Sequence, residues 1–397
     1  MVRAVCLASY VSRDIAPDVL RGFALWGIVL VNVAYFSSSV DTGVTADTLV
    51  SPGDSVAAFL VFALAQGKFY LIFSFLFGYS SQYVLASASG GRRRWWARGV
   101  GLIALGIAHA SLLFIGDILF LYGLLGLLLL AFYGRTRRTL VRWGAWIYGV
   151  FTALAVAVVA LTALAEAQGL STAVESSPTG LAYEEAVQSD NYLASISPRF
   201  DFWVSEAIFL VLFQGALTFV AFLVGVLSAR SGALTGSGLS RDQLHKMMGW
   251  GLGLGLGLQV LFASVWVINT TSASPSLTLE LAAFFGSFVT APLLSLGYVG
   301  LVVTIVRARP TVLGWLGNMG RMSLTVYLGQ SLLLNLIFGG WGLGLYQQLP
   351  YWLAVLVSIV VTLVLAALAT LWLSRFRQGP MERLLSAWSR LGGAKSG

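Results

Sequence analysis

Eight polar side chains lie within or at the ends of otherwise apolar stretches of this sequence, where they could take part in chemistry. They are Asp18, Arg21, Asn32, Lys68, His109, Asp117, Arg321 and Gln330. An ionisable group at the centre of a bilayer costs at least roughly 2–3 kcal/mol, so each one needs a partner, a water-filled cavity or a function. We therefore take these residues as the candidate site.

His109 and Asn32 carry the most specific chemical expectation. Asn32 follows Arg21 by 11 residues, and His109 follows Arg98 by 11 residues in another apolar segment that runs in the same direction. At the rise of a helix, both side chains lie about 16 Å from the arginine-bearing ends. An imidazole and an amide at equal depth could line one cavity, as general base and as orienting or stabilising group. The alternative for His109 is an interhelical hydrogen bond.

Asp18 and Arg21 are three residues apart and therefore share one helical face. The pair could cap the helix and anchor it at the interface, because a carboxylate near a helix N-terminus is favoured by the macrodipole. It could instead form a cytoplasmic mouth in which the guanidinium grips a phosphate or carboxylate. Arg321 opens another apolar segment and could serve the same anion, and Gln330 lies inside that segment.

Asp117 follows His109 by eight residues, with Gly116 between them. Along one continuous helix this spacing is about 12 Å, which is too far for a direct pair. An aspartate before an apolar run commonly accepts a hydrogen bond from the backbone of the next helix. We therefore expect Asp117 to cap that helix.

Lys68 lies within an apolar stretch about 32 residues long, longer than a straight crossing requires. Gly67 stands beside it, and a tilt or break is expected there. The lysine could face a cavity and attract an anionic ligand. Alternatively, it could snorkel or pair with an acid such as Glu206 or Glu280.

The elements that must position these residues are membrane-spanning helices. The chain of 397 residues is 58% hydrophobic and only 10% charged, and its mean hydropathy is +0.84. Segments long enough to cross a bilayer are predicted at residues 20–40, 55–86, 96–114, 118–133, 140–165, 204–229, 244–269, 277–306, 319–338 and 351–375. The fold class is therefore all-α, a polytopic bundle of about ten transmembrane helices in the lipid bilayer.

Arginines and lysines concentrate in alternate loops, as the positive-inside rule requires of cytoplasmic segments. With an even number of crossings, both termini are expected in the cytoplasm. Residues 1–397 then form one integral membrane domain, with an acidic extracytoplasmic loop at 166–202 and a cytoplasmic tail at 376–397. The loop could cover an external cavity or be a solvated connector.

Several partner classes are disfavoured by the sequence. The net charge of +8 comes from short basic clusters between apolar runs, which argues against nucleic acid as a partner. Cys6 is the single cysteine, so neither an intramolecular disulfide nor a thiol-ligated metal cluster is expected. No metal or bound cofactor is predicted. The alternating glycines of residues 249–257 indicate close helix packing, within one chain or in a homodimer.

Motifs in order along nearly the whole chain carry a family resemblance. They lie at residues 18–24, 31–32, 67–70, 73–78, 106–109, 116–119, 320–325, 330–331, 342–344 and 376–382, together with Tyr122 and Tyr327. On these motifs the chain resembles the YeiB family of bacterial inner-membrane proteins, which implies a multi-pass protein of the bacterial cell membrane. The region from residue 145 to 204 adds nothing to the resemblance.

The first helix is also similar, more distantly, to that of the transmembrane acyltransferase superfamily, which includes the lysosomal heparan-sulfate acetyltransferase and bacterial glycan O-acetylases. That resemblance implies a cytoplasmic acyl-CoA co-substrate, with Arg21 near its entrance and Asn32 near the reacting centre. The glycan O-acetylases carry histidine at the place of Asn32. Here the next histidine is His109, and His245 falls in a basic loop.

The leading functional hypothesis is an acyltransferase that moves an acyl group, with acetyl preferred, to a glycan, lipid or small-molecule hydroxyl or amine at the outer side. His109 is its expected base and Asn32 its stabilising group. Asp18, Arg21, Lys68, Asp117, Arg321 and Gln330 are assigned to binding the substrate or the acyl-CoA. A transporter or flippase of a small molecule or lipid-linked intermediate is the alternative. A noncatalytic membrane partner is a third hypothesis.

Overall fold

The computed structural model describes residues 14–40, 43–45, 47–86, 90–170, 177–235 and 238–391. Within these ranges the chain forms helices and no strand. The helices are α1 (Ala16–Ser37), α2 (Pro52–Leu64), α3 (Phe69–Leu85), α4 (Gly91–Leu112), α5 (Leu119–Leu129), α6 (Arg137–Ala167), α7 (Pro178–Gln188), α8 (Ile196–Arg230), α9 (Arg241–Met248), α10 (Leu256–Thr270), α11 (Leu277–Ala308), α12 (Gly314–Arg321), α13 (Ser323–Phe338), α14 (Tyr351–Arg375) and α15 (Pro380–Leu391). The predicted all-α class is confirmed. Cys6 lies outside the described residues.

Seven helical segments of the described chain are long and apolar enough to cross a membrane. They are Ala16–Ser37, Pro52–Leu85, Arg137–Ala167, Leu193–Arg230, Arg241–Thr270, Leu277–Ala308 and Tyr351–Arg375. Of the other three predicted spans, two correspond to the shorter apolar helices α5 and α13. The third corresponds to α4, which begins with a cluster of arginines. Ten crossings and cytoplasmic termini therefore stay predictions.

Helix α1 lies at the centre of the bundle, packed against α3, α11, α12, α13 and α14. Its buried face is apolar and joins the main hydrophobic core. The outer helices expose large apolar side chains; Leu154 and Leu161 of α6, for example, are 62% and 65% exposed. That distribution suits a protein surrounded by lipid, where no polar outer face is needed.

Two predicted spans are interrupted. The break expected near Lys68 separates α2 from α3, and Gly67 there has a φ of +81°, in the left-handed region that favours glycine. The predicted span 319–338 is also broken, at Met322, and this break was not expected. The predicted loop 166–202 contains helix α7 and the first turns of α8.

The arginine clusters define one end of the bundle, called here the arginine-rich end. Helices α1, α4 and α6 begin there, and α8, α11 and α14 end there with Arg230, Arg307 and Arg375. Arg230 donates to the carbonyl oxygen of Arg135 at 2.7 Å, which joins two of the basic loops. The basic segments that alternate along the sequence therefore lie together at one end of the bundle.

The glycines between α9 and α10 pack against α11 through a π-helical turn, Gly249–Gly255. A Cβ atom on Gly251 would overlap the Cα and backbone N of Gly297, whereas a Cβ on Gly253 would meet nothing within 4 Å. The predicted close packing within the chain is therefore present at Gly251. The homodimer contact stays a prediction.

We expect Gly251→Val to destabilise the protein by about 1–3 kcal/mol, because the added atoms must push two helix backbones apart. Gly253→Val is the matched control, since it makes the same chemical change on the open side of the same turn. Unfolding of both variants in detergent, followed by size-exclusion after heating, measures the difference. Equal losses for the two variants would contradict this packing.

Candidate functional site

A cavity of about 430 Å³, called here the large cavity, lies in the half of the bundle away from the arginine-rich end. Its wall combines α1, the break between α2 and α3, the loop after α4, and parts of α8, α11 and α13. The polar side chains of its described lining are Asn32, Tyr35, Gln66, Tyr70, Ser177, Glu206, Gln214 and Tyr327, together with the indole of Trp203. Aromatic rings fill much of the remainder. No lysine or arginine is found among the described residues that line it.

Asn32 is the predicted site residue that lies in the large cavity. Its side chain is partly exposed to that space. Among the described residues it has no hydrogen-bond partner, so both the donor and the acceptor of the amide are available to a ligand. The predicted placement of this amide within a cavity is therefore present in the structure.

His109 does not line the large cavity, and the expectation that it shares one cavity with Asn32 is wrong. Its side chain is buried, and Nδ1 lies 2.8 Å from Oδ1 of Asp117. The prediction that the two residues are too far apart assumed one continuous helix. Helix α4 instead ends at Leu112, and the following loop brings Asp117 back to the histidine.

Asp117 also performs its predicted capping role. Its second carboxylate oxygen, Oδ2, accepts a hydrogen bond of 2.7 Å from the backbone N–H of Phe120 in the first turn of α5. The fully buried carboxylate therefore joins the end of α4 to the beginning of α5. Ile115, Gly116 and Ile118 of the loop that it holds line the large cavity.

The free nitrogen of His109, Nε2, is buried and has no hydrogen-bond partner in the described part of the chain. The imidazole packs beside the ring of Tyr327, with the ring centroids 5.0 Å apart. Tyr327 itself lines the large cavity. The histidine is therefore separated from the cavity by one side chain.

Lys68 is fully buried and takes none of its expected roles. Its Nζ atom donates to the carbonyl oxygen of Phe62 at 2.7 Å and to Oγ of Ser287 at 3.4 Å. No carboxylate of the described chain lies within 4 Å of it, and it does not line the large cavity. The amino group of Lys68 instead satisfies a carbonyl at the C-terminal end of α2, which holds the break in place.

Gln330 is likewise a structural residue in this geometry. Its Nε2 atom donates to Oγ1 of Thr362 at 3.0 Å and to the carbonyl oxygen of Leu25 at 3.4 Å, which ties α13 to α14 and α1. It is buried and does not line the large cavity.

The remaining predicted residues lie at the arginine-rich end. Arg21 forms an ion pair with Asp18, with Nη1 2.6 Å from Oδ1, and donates to Oγ of Ser80 at 2.7 Å. The shared helical face is therefore confirmed. Arg321 donates to the carbonyl oxygen of Arg377 at 3.3 Å.

A second space of about 60 Å³, called here the small cavity, lies between this end and the large cavity. Arg98, Ser323 and Leu385 contribute to its lining. Ile28, Ile118 and Tyr327 line both cavities and form the wall between them. The two spaces therefore lie next to each other within the bundle, with the His109 and Asp117 pair behind the tyrosine of that wall.

Helix α7 and the first turns of α8 cover the far end of the large cavity. Glu184 of α7 accepts hydrogen bonds from the backbone N–H of Val40, at 2.8 Å, and from Ser39. Ser177 and Phe202 line the cavity itself. Of the two alternatives for the predicted loop 166–202, the structure supports the covering role in its described part.

The cover is held by buried polar contacts. Arg199 is 1% exposed and donates to the carbonyl oxygen of Leu112 at 3.0 Å, at the C-terminal end of α4. Burial raises the pKa of the Tyr183 phenol in α7, while the charge of Arg199 acts in the opposite direction. The phenol is therefore neutral at ordinary pH.

Most of the polar lining of the large cavity was not predicted from the sequence. Gln66 and Gln214 are amides within predicted spans, so the criterion that selected Gln330 would also have selected them. Glu206 was considered only as a partner of Lys68. It is exposed and lies at the cavity, and no ion pair joins the two residues.

We expect Lys68→Met to destabilise the protein by about 1–3 kcal/mol, because the carbonyl of Phe62 loses its buried donor. Lys246→Met is the control: its ion pair with Asp242 is exposed, and the change should cost less than about 1 kcal/mol. Denaturant unfolding in mixed micelles measures both. A stability of Lys68→Met equal to that of the control would show that the buried hydrogen bond contributes nothing.

Comparison with known proteins places the chain among others of the same length. A family described as "Protein of unknown function (DUF418)" matches residues 228–391. The uncharacterized protein YxaH of Bacillus subtilis (strain 168) is 31% identical over 389 residues, which cover 92% of each chain. The uncharacterized protein YeiB of Escherichia coli (strain K12) is 27% identical over 392 residues, covering 96% of each chain. No solved structure matches this chain. Because both similarities extend over nearly the whole helical bundle, this chain belongs to the YeiB family.

Proposed function

We propose that this protein is a membrane-embedded acyltransferase, which moves an acyl group from acyl-CoA at the arginine-rich end to a hydroxyl or amine held in the large cavity. The observation that carries the proposal is the wall shared by the two cavities, with the buried His109 and Asp117 pair directly behind Tyr327. A donor and an acceptor that arrive from opposite ends would meet at this wall.

The histidine and aspartate have the arrangement of a general base. A carboxylate that accepts from Nδ1–H holds the neutral imidazole in the tautomer whose Nε2 carries a lone pair. In the proposed reaction Nε2 removes the acceptor proton, and the acceptor oxygen or nitrogen attacks the thioester carbon. The bond from that carbon to sulfur then breaks, and the CoA thiolate leaves and takes up the proton. The ring of Tyr327 must turn aside for this contact.

Asn32 supports the proposal from the acceptor side. Its partner-free amide lines the large cavity, where an N–H donor could stabilise the negative oxygen that forms during acyl transfer. Gln66, Gln214 and Glu206 offer further hydrogen-bonding groups to a polar acceptor. The absence of lysine and arginine from the described lining favours an acceptor without negative charge there.

A transporter is the second candidate, and the interrupted helix pair α2–α3 favours it. Gln66 and Gly67 of that break line the large cavity, as the discontinuous helices of many transporters line their substrate sites. In this mechanism the wall of Ile28, Ile118 and Tyr327 would open as a gate. Substrate flux into proteoliposomes without release of CoA would support transport over acyl transfer.

We expect purified protein in detergent to bind acetyl-CoA and to release CoA in the presence of an acceptor. His109→Gln should reduce the release rate by about 100-fold or more, the usual contribution of a positioned general base. His245→Gln is the matched control, because His245 lies on the exposed surface of α9. Equal activity of the two variants would exclude His109 as the base.

Asp117→Asn tests whether Asp117 fixes the tautomer of His109, without removing the cap of α5. The asparagine oxygen can still accept from the N–H of Phe120, so α5 keeps its cap. Its amide group would then donate to Nδ1 of His109, which moves the ring proton to Nε2 and removes the base. We expect a rate loss of about 100-fold or more with a melting temperature close to wild type, measured on the same samples. Retained activity would contradict this role of the aspartate.

A further inference from the structure

Arg98 is the cationic side chain in the described lining of the small cavity. The residue is on α4, is partly buried, and lines this space with Tyr122, Ser323 and Leu385. Among the described residues its guanidinium makes no hydrogen bond and no ion pair. A guanidinium within a membrane bundle is costly unless an anion or water compensates it. Its planar fork of donors matches the geometry of phosphate and carboxylate groups.

A carboxylate already occupies an anion position beside the small cavity. Glu382, on the C-terminal helix α15, accepts from the backbone N–H of Leu324 at 2.7 Å and of Thr325 at 3.1 Å. It also accepts from Oγ1 of Thr325 at 2.6 Å. These groups form the first turn of α13, and Leu324 lines the cavity. Backbone N–H groups at such a helix start bind phosphate as readily as carboxylate.

Helix α15 closes the cavity towards the arginine-rich end. Leu385 is 3% exposed and forms part of the cavity lining. Trp388 donates from Nε1 to the carbonyl oxygen of Ala97 at 2.8 Å, one residue before Arg98. The space of about 60 Å³ beside α15 is too small for the arm of a CoA molecule. A ligand of that size can reach Arg98 from this end only after α15 moves.

Two charged side chains act on Arg98 without forming an ion pair with it in the described chain. Arg21 and Glu382 are the charged groups that interact with it electrostatically, one repelling and one attracting the guanidinium. Neither forms an ion pair with it within 4 Å in the described chain. A phosphate placed between Arg98 and the start of α13 would satisfy the guanidinium directly. It would also compete with the carboxylate of Glu382.

We propose that the small cavity is a binding site for a phosphate group and that Arg98 is the cation of this site. Helix α15 covers the site, and the carboxylate of Glu382 occupies the position of the phosphate until the ligand enters. The inference rests on the proposed function where the phosphate belongs to CoA. The headgroup of an anionic phospholipid offers the same chemistry from a second source.

The test uses the full chain in nanodiscs of phosphatidylcholine, with coenzyme A as the probe and calorimetry as the measurement. Arg98→Ala should weaken binding about tenfold or more, since a charge-assisted contact to phosphate is lost. Arg98→Lys should retain part of the affinity and shows whether the site still folds. Arg92→Ala is the control: it removes an exposed arginine of the same helix and should change affinity less than about twofold.

The cover is tested by two further variants. Glu382→Gln keeps the size of the side chain but removes its charge, so coenzyme A should bind several-fold more tightly. Leu385→Cys in a Cys6→Ser background places a thiol on the buried face of α15. We expect saturating coenzyme A to increase its labelling rate by a maleimide at least about threefold, because an opened cover exposes it.

The outcomes separate this inference from the acyltransferase proposal. Binding of coenzyme A that depends on Arg98, without any acyl transfer, supports the phosphate site and contradicts the acyltransferase. If coenzyme A does not bind, phosphatidylglycerol nanodiscs are used; stabilisation by that lipid that is lost in Arg98→Ala supports the site with a lipid ligand. The inference is overturned if Arg98→Ala behaves like Arg92→Ala with both ligands, or if Leu385→Cys labels at the same rate with and without bound ligand.

Discussion

The hydrogen bonding of helix ends is the constraint on which the rest of this structure depends. In hydrocarbon, an unpaired backbone N–H or C=O group costs several kcal/mol, so a helix can end within a bundle only where another group satisfies its terminal turn. In the described part of the chain, helices end against polar side chains at three places: the breaks between α2 and α3 and between α12 and α13, and the loop between α4 and α5. A polar side chain is found at each.

Those side chains include two of the buried ionisable residues, Lys68 and Asp117. Lys68 satisfies the end of α2, Asp117 the beginning of α5, and Glu382 the beginning of α13. Arg199 reaches the last carbonyls of α4 from the other side. An ionisable residue in a membrane helix is by default taken to indicate ligand binding or catalysis. Here these side chains mainly form hydrogen bonds with backbone groups at the ends of helices. The break between α2 and α3 and the loop between α4 and α5, rather than Lys68 and Asp117, line the large cavity.

The arrangement proposed for catalysis also depends on where a helix ends. Because α4 stops at Leu112, the chain can return Asp117 to His109, and the loop between them becomes part of the cavity wall. The two cavities then approach each other at a wall of three side chains. A group-transfer enzyme needs such a meeting point between two ligands. A transporter needs the same point as a gate, and so acyl transfer and transport share this architecture.

The sequence by itself determined what depends on local contacts. The apolar segments and their charge flanks predict the all-α bundle, because the thickness of a bilayer fixes the length of a span. Gly67 predicts the break in the second span, the three-residue spacing predicts the pair of Asp18 and Arg21, and the position of Asp117 predicts its cap. Each of these rests on neighbours within about one helical turn.

Only the tertiary structure decided which distant groups meet. Lys68 forms a hydrogen bond with Ser287 of α11, and Gln330 forms one with Thr362 of α14. Glu382 of the C-terminal helix accepts a hydrogen bond from the start of α13. The polar lining of the large cavity likewise comes from helices far apart in the chain. Helical periodicity shows which residues share a face, but it does not show which face of another helix will pack there. That choice follows from the packing of the whole bundle, and it placed Asn32 in the cavity and His109 behind the wall.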